Sequence, residues 1–88
     1  MNEYYMILAW SDCPYCDKAK DLLIEADKQF MFCILDESRE LLEMYKEANN
    51  WETVPMVFHH KKISKTEWSV EFIGGYSDLV KKFTTNGD

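Results

Sequence analysis

Cys13 and Cys16 stand three residues apart, with Pro14 and Tyr15 between them, where an apolar run gives way to a helical pattern. The run before them, Tyr4 to Ala9 (YYMILA), is short and nearly all apolar, as expected of a strand buried on both faces. A turn is expected over Trp10 to Pro14. From Tyr15 to about Lys28, Ala19, Leu22, Leu23 and Ala26 recur at helical spacing, and lysines and aspartates fill the other face. The cysteine pair therefore sits at a strand-to-helix junction.

The remaining pattern extends this start. Phe30 to Leu35 (FMFCIL) reads as a second buried strand. Asp36 to Ser38 supplies cap residues, and Leu41, Tyr45 and Ala48 mark one face of a second helix ending near Asn49-Asn50. Met56-Val57-Phe58 forms a third strand, His59 to Ser64 a polar turn, and Lys65 to Ile73 a fourth strand with Trp68, Val70 and Phe72 alternating. Gly74-Gly75 breaks it. Ser77 or Asp78 can cap a last helix carrying Leu79, Val80 and Phe83, and 84–88 reads as a flexible tail. The order is β-α-β-α-β-β-α in an α/β domain. The first β-α-β unit should be parallel with a right-handed crossover, and the last two strands an antiparallel hairpin.

An 88-residue chain makes one domain. With 47% hydrophobic and 15% aromatic residues it has enough apolar surface to offset the entropy of ordering. The net charge of −6 repels phosphates and anionic lipid, so nucleic-acid and membrane partners are not expected. No apolar run approaches the roughly 20 residues of a membrane span. Met1-Asn2-Glu3 lacks the charged start of an export signal, which sets a reducing cytoplasm as the default compartment. There, three cysteines read as catalytic or metal-binding rather than as a structural framework.

Pro14 suits the first helical position, so Cys13 is expected at the N-cap and Cys16 one turn on, nearly on the same face. The helix N-terminus carries unpaired N–H groups and partial positive charge, which favour a thiolate at Cys13. Lys18 and Lys20 add positive charge nearby. Cys16, inside the helix, should be less exposed, so Cys13 is the expected nucleophile and Cys16 the resolving thiol. A closed zinc site would need four ligands. Cys33 lies in an apolar run, and His59 and His60 are adjacent, so that on a strand they would point to opposite faces. No metal site is therefore expected. A C-x-x-C motif leading into a helix is instead a thioredoxin-like redox signal.

Three segments carry a resemblance. Cys13-Pro14-Tyr15-Cys16, Thr53-Val54-Pro55 and Gly74-Gly75-Tyr76-Ser77-Asp78 resemble, in order and spacing, the signatures of dithiol glutaredoxins such as compact phage-like or bacterial members. The resemblance covers roughly Tyr4 to Phe83. It implies a thioredoxin-like fold, with a four-stranded mixed sheet and helices on both faces. It implies a cis-proline at Pro55, and a glutathione site formed by Tyr15, Thr53, Val54, Pro55, Gly75, Tyr76, Ser77 and Asp78. Val54 would present its backbone to the ligand like an added strand, and Ser77 and Asp78 would hold the γ-glutamyl end at a helix start.

The implied activity is glutathione-dependent reduction of protein disulfides and glutathione mixed disulfides. Glutathione is the implied co-substrate, with no tightly bound cofactor. The implied partners are disulfide-containing or glutathionylated proteins, ribonucleotide reductase among them, with the enzyme acting as a monomer in electron transport and cell redox homeostasis. Two alternatives stand beside this: a glutaredoxin-like thioredoxin served by a flavoprotein reductase, and an iron–sulfur-binding glutaredoxin. Two departures bear on the choice. Many glutaredoxins carry a lysine three residues before the first cysteine, to hold the glycine carboxylate of glutathione; here that residue is Trp10. Either another cation substitutes or glutathione is held more weakly. The hairpin spanning His59 to Phe72 is also longer than in compact bacterial members, as a partner surface or simply as a longer hairpin.

Overall fold

The computed structural model describes residues 2–85. The elements run β1 (Glu3–Ala9), α1 (Pro14–Glu25), β2 (Phe30–Ile34), α2 (Arg39–Asn49), β3 (Met56–Lys62), β4 (Trp68–Gly74) and α3 (Tyr76–Thr85). The four strands form one sheet in the order β2-β1-β3-β4. β1 pairs parallel with β2 and antiparallel with β3, and β3 pairs antiparallel with β4. This is the mixed sheet of a thioredoxin-like α/β fold.

β1 is central, so its side chains are buried on both sides of the sheet. Tyr5, Ile7 and Ala9 face α1 and α3, packing with Cys16, Ala19, Leu23, Val57 and Leu79. Leu8 faces α2 and joins Leu35, Leu42, Met56 and Phe58. This two-sided burial is why the run reads as continuous rather than alternating. It also anchors the residues that follow Ala9, where the cysteine pair begins. Among the described residues no helix is long and apolar enough to cross a membrane.

Four boundaries differ from the sequence expectation by more than one residue. α1 stops at Glu25 rather than near Lys28: Asp27 takes φ 56°, and the Lys28 N–H turns back to Leu23 O at 2.9 Å, closing the helix with a left-handed residue. β3 runs on to Lys62, so His59 and His60 are strand residues and not a turn. Their rings stack on the paired residues of β1, His59 on Tyr5 at 4.4 Å and His60 on Tyr4 at 4.5 Å, which holds these polar side chains in the ladder. β4 accordingly begins at Trp68 rather than Lys65. Finally, Thr84 and Thr85 belong to α3 and not to the expected tail; the rest of that tail, 86–88, lies outside the described residues.

Candidate active site

Cys13 and Cys16 are joined as a disulfide, with their Cα atoms 5.2 Å apart. Cys13 is the N-cap of α1 in extended conformation, and Pro14 takes the first helical position. The Cys16 N–H donates to Cys13 Sγ at 3.1 Å, and the Asp17 N–H donates to Cys13 O, also at 3.1 Å. Cys13 Sγ thus occupies the place of a capping oxygen, against an unpaired helical N–H. Cys13 is half-buried while Cys16 is fully buried. An incoming thiol or disulfide meets Cys13 first.

The loop before the pair is tied down from a distance. The Ser11 N–H donates to Asp36 Oδ1 at 3.0 Å, and the Ser11 hydroxyl donates to Asp36 Oδ2. These bonds from Ser11 hold the Asp36 carboxyl below its ordinary pKa. Of the expected cap residues Asp36 to Ser38, Ser38 is the N-cap of α2, with no capping bond from its side chain among the described residues, and Asp36 is turned to Ser11. Lys18 Nζ lies 5.0 Å from the Tyr15 ring, whereas Lys20 turns to Phe32.

Beside the disulfide lies a groove of about 440 Å³, lined by Tyr15, Thr53, Val54, Pro55, Gly75, Tyr76, Ser77 and Asp78. These are the residues that the resemblance implied, brought together from three separate segments. The Val54–Pro55 bond is cis. Gly74, at φ 122°, makes the turn into α3 in a conformation that side chains rarely adopt, and a Cβ there would run into the Asp78 carboxylate. α3 starts at Tyr76, so neither Ser77 nor Asp78 is its N-cap. Asp78 stands three positions beyond Gly75 and reaches back, its Oδ2 accepting from the Gly75 N–H at 2.9 Å.

The groove has a ninth wall residue, Trp51, which sequence reasoning missed. A signal was present. Asn50 ends α2 in the left-handed conformation (φ 51°), and the Trp51 N–H then bonds Lys46 O at 2.9 Å. An asparagine followed by a large apolar residue marks such helix ends, and the apolar residue packs back against the body. Upstream of Cys13, the Trp10 ring has two cations beside it: the Arg39 guanidinium at 5.5 Å and Lys46 Nζ at 6.0 Å.

The other chemically capable side chains lie elsewhere. Cys33 is half-buried on β2 among apolar neighbours, and burial pushes its thiol pKa up. His59 Nε2 lies 2.7 Å from Glu3 Oε1, and this bond holds the Glu3 carboxyl below its ordinary pKa. His60 projects from the opposite face of the sheet, onto Tyr4. Among the described residues no three His, Cys, Asp or Glu side chains gather as metal ligands.

A disulfide at a helix N-terminus, half-exposed at one sulfur and flanked by a cis-proline, defines a thioredoxin-like thiol–disulfide class. The glutaredoxin family model matches residues 3–63. The chain is similar to glutaredoxin-1 of Rhizophagus irregularis, 39% identical over 78 residues, which are 85% of this chain and 68% of that protein. It also resembles the solution structure of glutaredoxin from Brucella melitensis, with a TM-score of 0.70 and 25% identity, over 94% of this chain and 80% of that one. The holo form of glutaredoxin C1 from Populus tremula x tremuloides gives a TM-score of 0.72 and 26% identity, over 93% and 75% of the two chains. The chain belongs to the glutaredoxin family, whose members are thiol–disulfide oxidoreductases.

Proposed function

We propose that this enzyme uses glutathione to reduce protein disulfides and glutathione mixed disulfides. The observation that carries this reading is the groove beside Cys13–Cys16, where the cis-proline segment and the start of α3 face one cavity. An extended γ-glutamyl tripeptide suits such a groove. Val54 supplies backbone partners for its middle, and the N-terminus of α3 suits the γ-glutamyl carboxylate. The carboxylate of Asp78 complements the ligand's α-amino group. At the other end, Arg39 and Lys46 beside Trp10 supply the positive charge for the glycine carboxylate that a lysine at position 10 would have carried.

The chemistry is thiol–disulfide exchange. Reduced Cys13 attacks, as thiolate, the glutathionyl sulfur of a mixed disulfide. A Cys13–glutathione disulfide forms and the client leaves as a thiolate. A second glutathione thiolate then attacks the Cys13-bound glutathionyl sulfur, giving glutathione disulfide and free Cys13. With a protein disulfide, Cys13 attacks one client sulfur and Cys16 then attacks Cys13. The client leaves with both thiols reduced and Cys13–Cys16 closed, the oxidised form described above. Two glutathiones reopen the pair. No tightly bound cofactor enters these steps. We propose a monomer acting in a reducing cytoplasm, where the glutathione pool returns the pair to its thiols. By the family resemblance, ribonucleotide reductase is one protein client proposed for it.

The test is steady-state reduction of a glutathionylated peptide, with either glutathione or thioredoxin reductase as electron donor. Saturable turnover with glutathione is expected. Turnover with thioredoxin reductase alone would overturn the reading in favour of a glutaredoxin-like thioredoxin. Visible absorbance of anaerobically purified protein would point instead to an iron–sulfur carrier.

A further inference from the structure

Trp51 stands where the two backbone walls of the groove meet the core. Its Cζ2 comes within 3.6 Å of the point where a Cβ on Gly75 would lie, and Pro55 O comes within 3.7 Å of the same point. The indole therefore lies against the turn into α3, and it lines the same groove as the cis-proline segment. It is itself held from behind. The Phe72 ring meets it edge-on at 5.3 Å, and it packs with the α2-side cluster of Leu8, Leu42 and Met56. The helix end at Asn50 fixes its backbone. Cys13 and Cys16 belong to the other cluster, across the sheet.

The indole Nε1 is buried and finds no hydrogen-bond partner among the described residues. A buried donor without an acceptor opposes folding, so the polar atom does not explain the residue. What the indole supplies is its ring. We infer that Trp51 is a positioning residue for the groove. Its ring sets the spacing between the Thr53–Pro55 backbone and the Gly75–Asp78 backbone, and so decides how well glutathionyl groups are received. This rests on the glutathione reading above. It acts on ligand reception and leaves the reactivity of Cys13 alone.

The experiment compares wild type, Trp51→Ala and Trp51→Phe in two reactions. One is turnover of a glutathionylated peptide with glutathione. The other is the stopped-flow rate of the reduced protein with 5,5′-dithiobis(2-nitrobenzoate), which reads Cys13 reactivity without any glutathionyl group. Trp51→Ala is expected to raise KM for the glutathionylated peptide about tenfold, because small displacements of positioning groups are costly. Its kcat and its stopped-flow rate should stay within about twofold of wild type. Trp51→Phe, which keeps a ring and drops only the partnerless N–H, should restore KM to within about twofold. Should Trp51→Ala fail to fold by circular dichroism, Trp51→Leu takes its place with the same expectation. An unchanged KM in the ring-less variant, or equal losses in both reactions, would overturn the positioning role. So would a Trp51→Phe variant as impaired as Trp51→Ala. If wild type itself shows no turnover with glutathione, the underlying reading fails. If wild type turns over and the variants match it, only the role of Trp51 does.

Discussion

Near the disulfide, Leu8, Ala9, Met56 and Val57 are buried; at the far end of the same sheet, residues 61–71 are exposed throughout. The two ends are held by different means. The Cys13 end is fixed by core packing beneath it and by side chains that tie backbone groups: Cys13 Sγ on the Cys16 N–H, Asp36 on Ser11, Asp78 on the Gly75 N–H. The hairpin end relies on its ladder and on ring contacts across strands, His60 stacked on Tyr4 and Trp68 tilted against Tyr4 at 5.7 Å. On the proposed function, a site that presents backbone groups to a ligand cannot rely on a loosely covered ribbon. The core is thickest where the backbone must be held still.

The comparison breaks most sharply at the cysteines. Cys13→Ser should reduce activity on every disulfide to background. Cys16→Ser should keep turnover of glutathionylated peptide and lose reduction of a protein disulfide such as insulin. If Cys16→Ser were inactive on both substrates, the assigned roles would be reversed. Next comes the core beneath the site. Leu79 is fully buried at the start of α3, and Leu79→Ala should cost about 2–5 kcal/mol in urea unfolding. A cost below about 1 kcal/mol would mean that α3 is not held from beneath as described.

Asp78→Ala should cost less, about 1 kcal/mol, by freeing the Gly75 N–H at the helix start. It should also raise KM for the glutathionylated peptide, a double effect that no hairpin substitution should give. Trp68→Ala is the matching change at the other end. Trp68 is 43% exposed, and aromatic pairs contribute about 0.5–1.5 kcal/mol, so a loss under about 1 kcal/mol with unchanged kcat/KM is expected. A fall in activity on protein clients alone would sharpen the contrast differently, by giving the hairpin a client-docking role.

The smallest effect is one of pH. Burial, with a lesser contribution from nearby His59, holds the His60 pKa below its ordinary 6.5. As pH falls past that value, the unfolded chain takes up the proton before the folded one does. The stability tied to neutral His60 is therefore complete above about pH 6.5 and is lost as pH falls through the lowered folded pKa. Thermal unfolding from pH 7.5 to 5 should show a drop in Tm that His60→Phe reduces. Glu3 acts in a separate, lower window. Its hydrogen bond to His59 lowers its pKa from 4.5, so its contribution is present above about pH 4.5 and lost below.

The sequence by itself determined the order of the elements and the Cys13 cap with Pro14 behind it. These follow from rules that act over a few residues: a period of two or 3.6, and a proline that fits only the first turn. The groove residues other than Trp51 were named through the resemblance of three segments to a known family, not by such rules. The sequence misjudged His59 and His60, because polar side chains read as a turn until rings on a neighbouring strand are there to stack on. Asp36 was legible only as a local cap, since its partner Ser11 lies 25 residues away. Trp51 followed a readable helix end, but which surface its ring would back depended on β3 lying next to β1 and on α3 following β4. Those neighbours are chosen by burial of the whole sheet. Only the tertiary structure could therefore decide that 51–55 and 75–78 face each other across one groove, beside the disulfide.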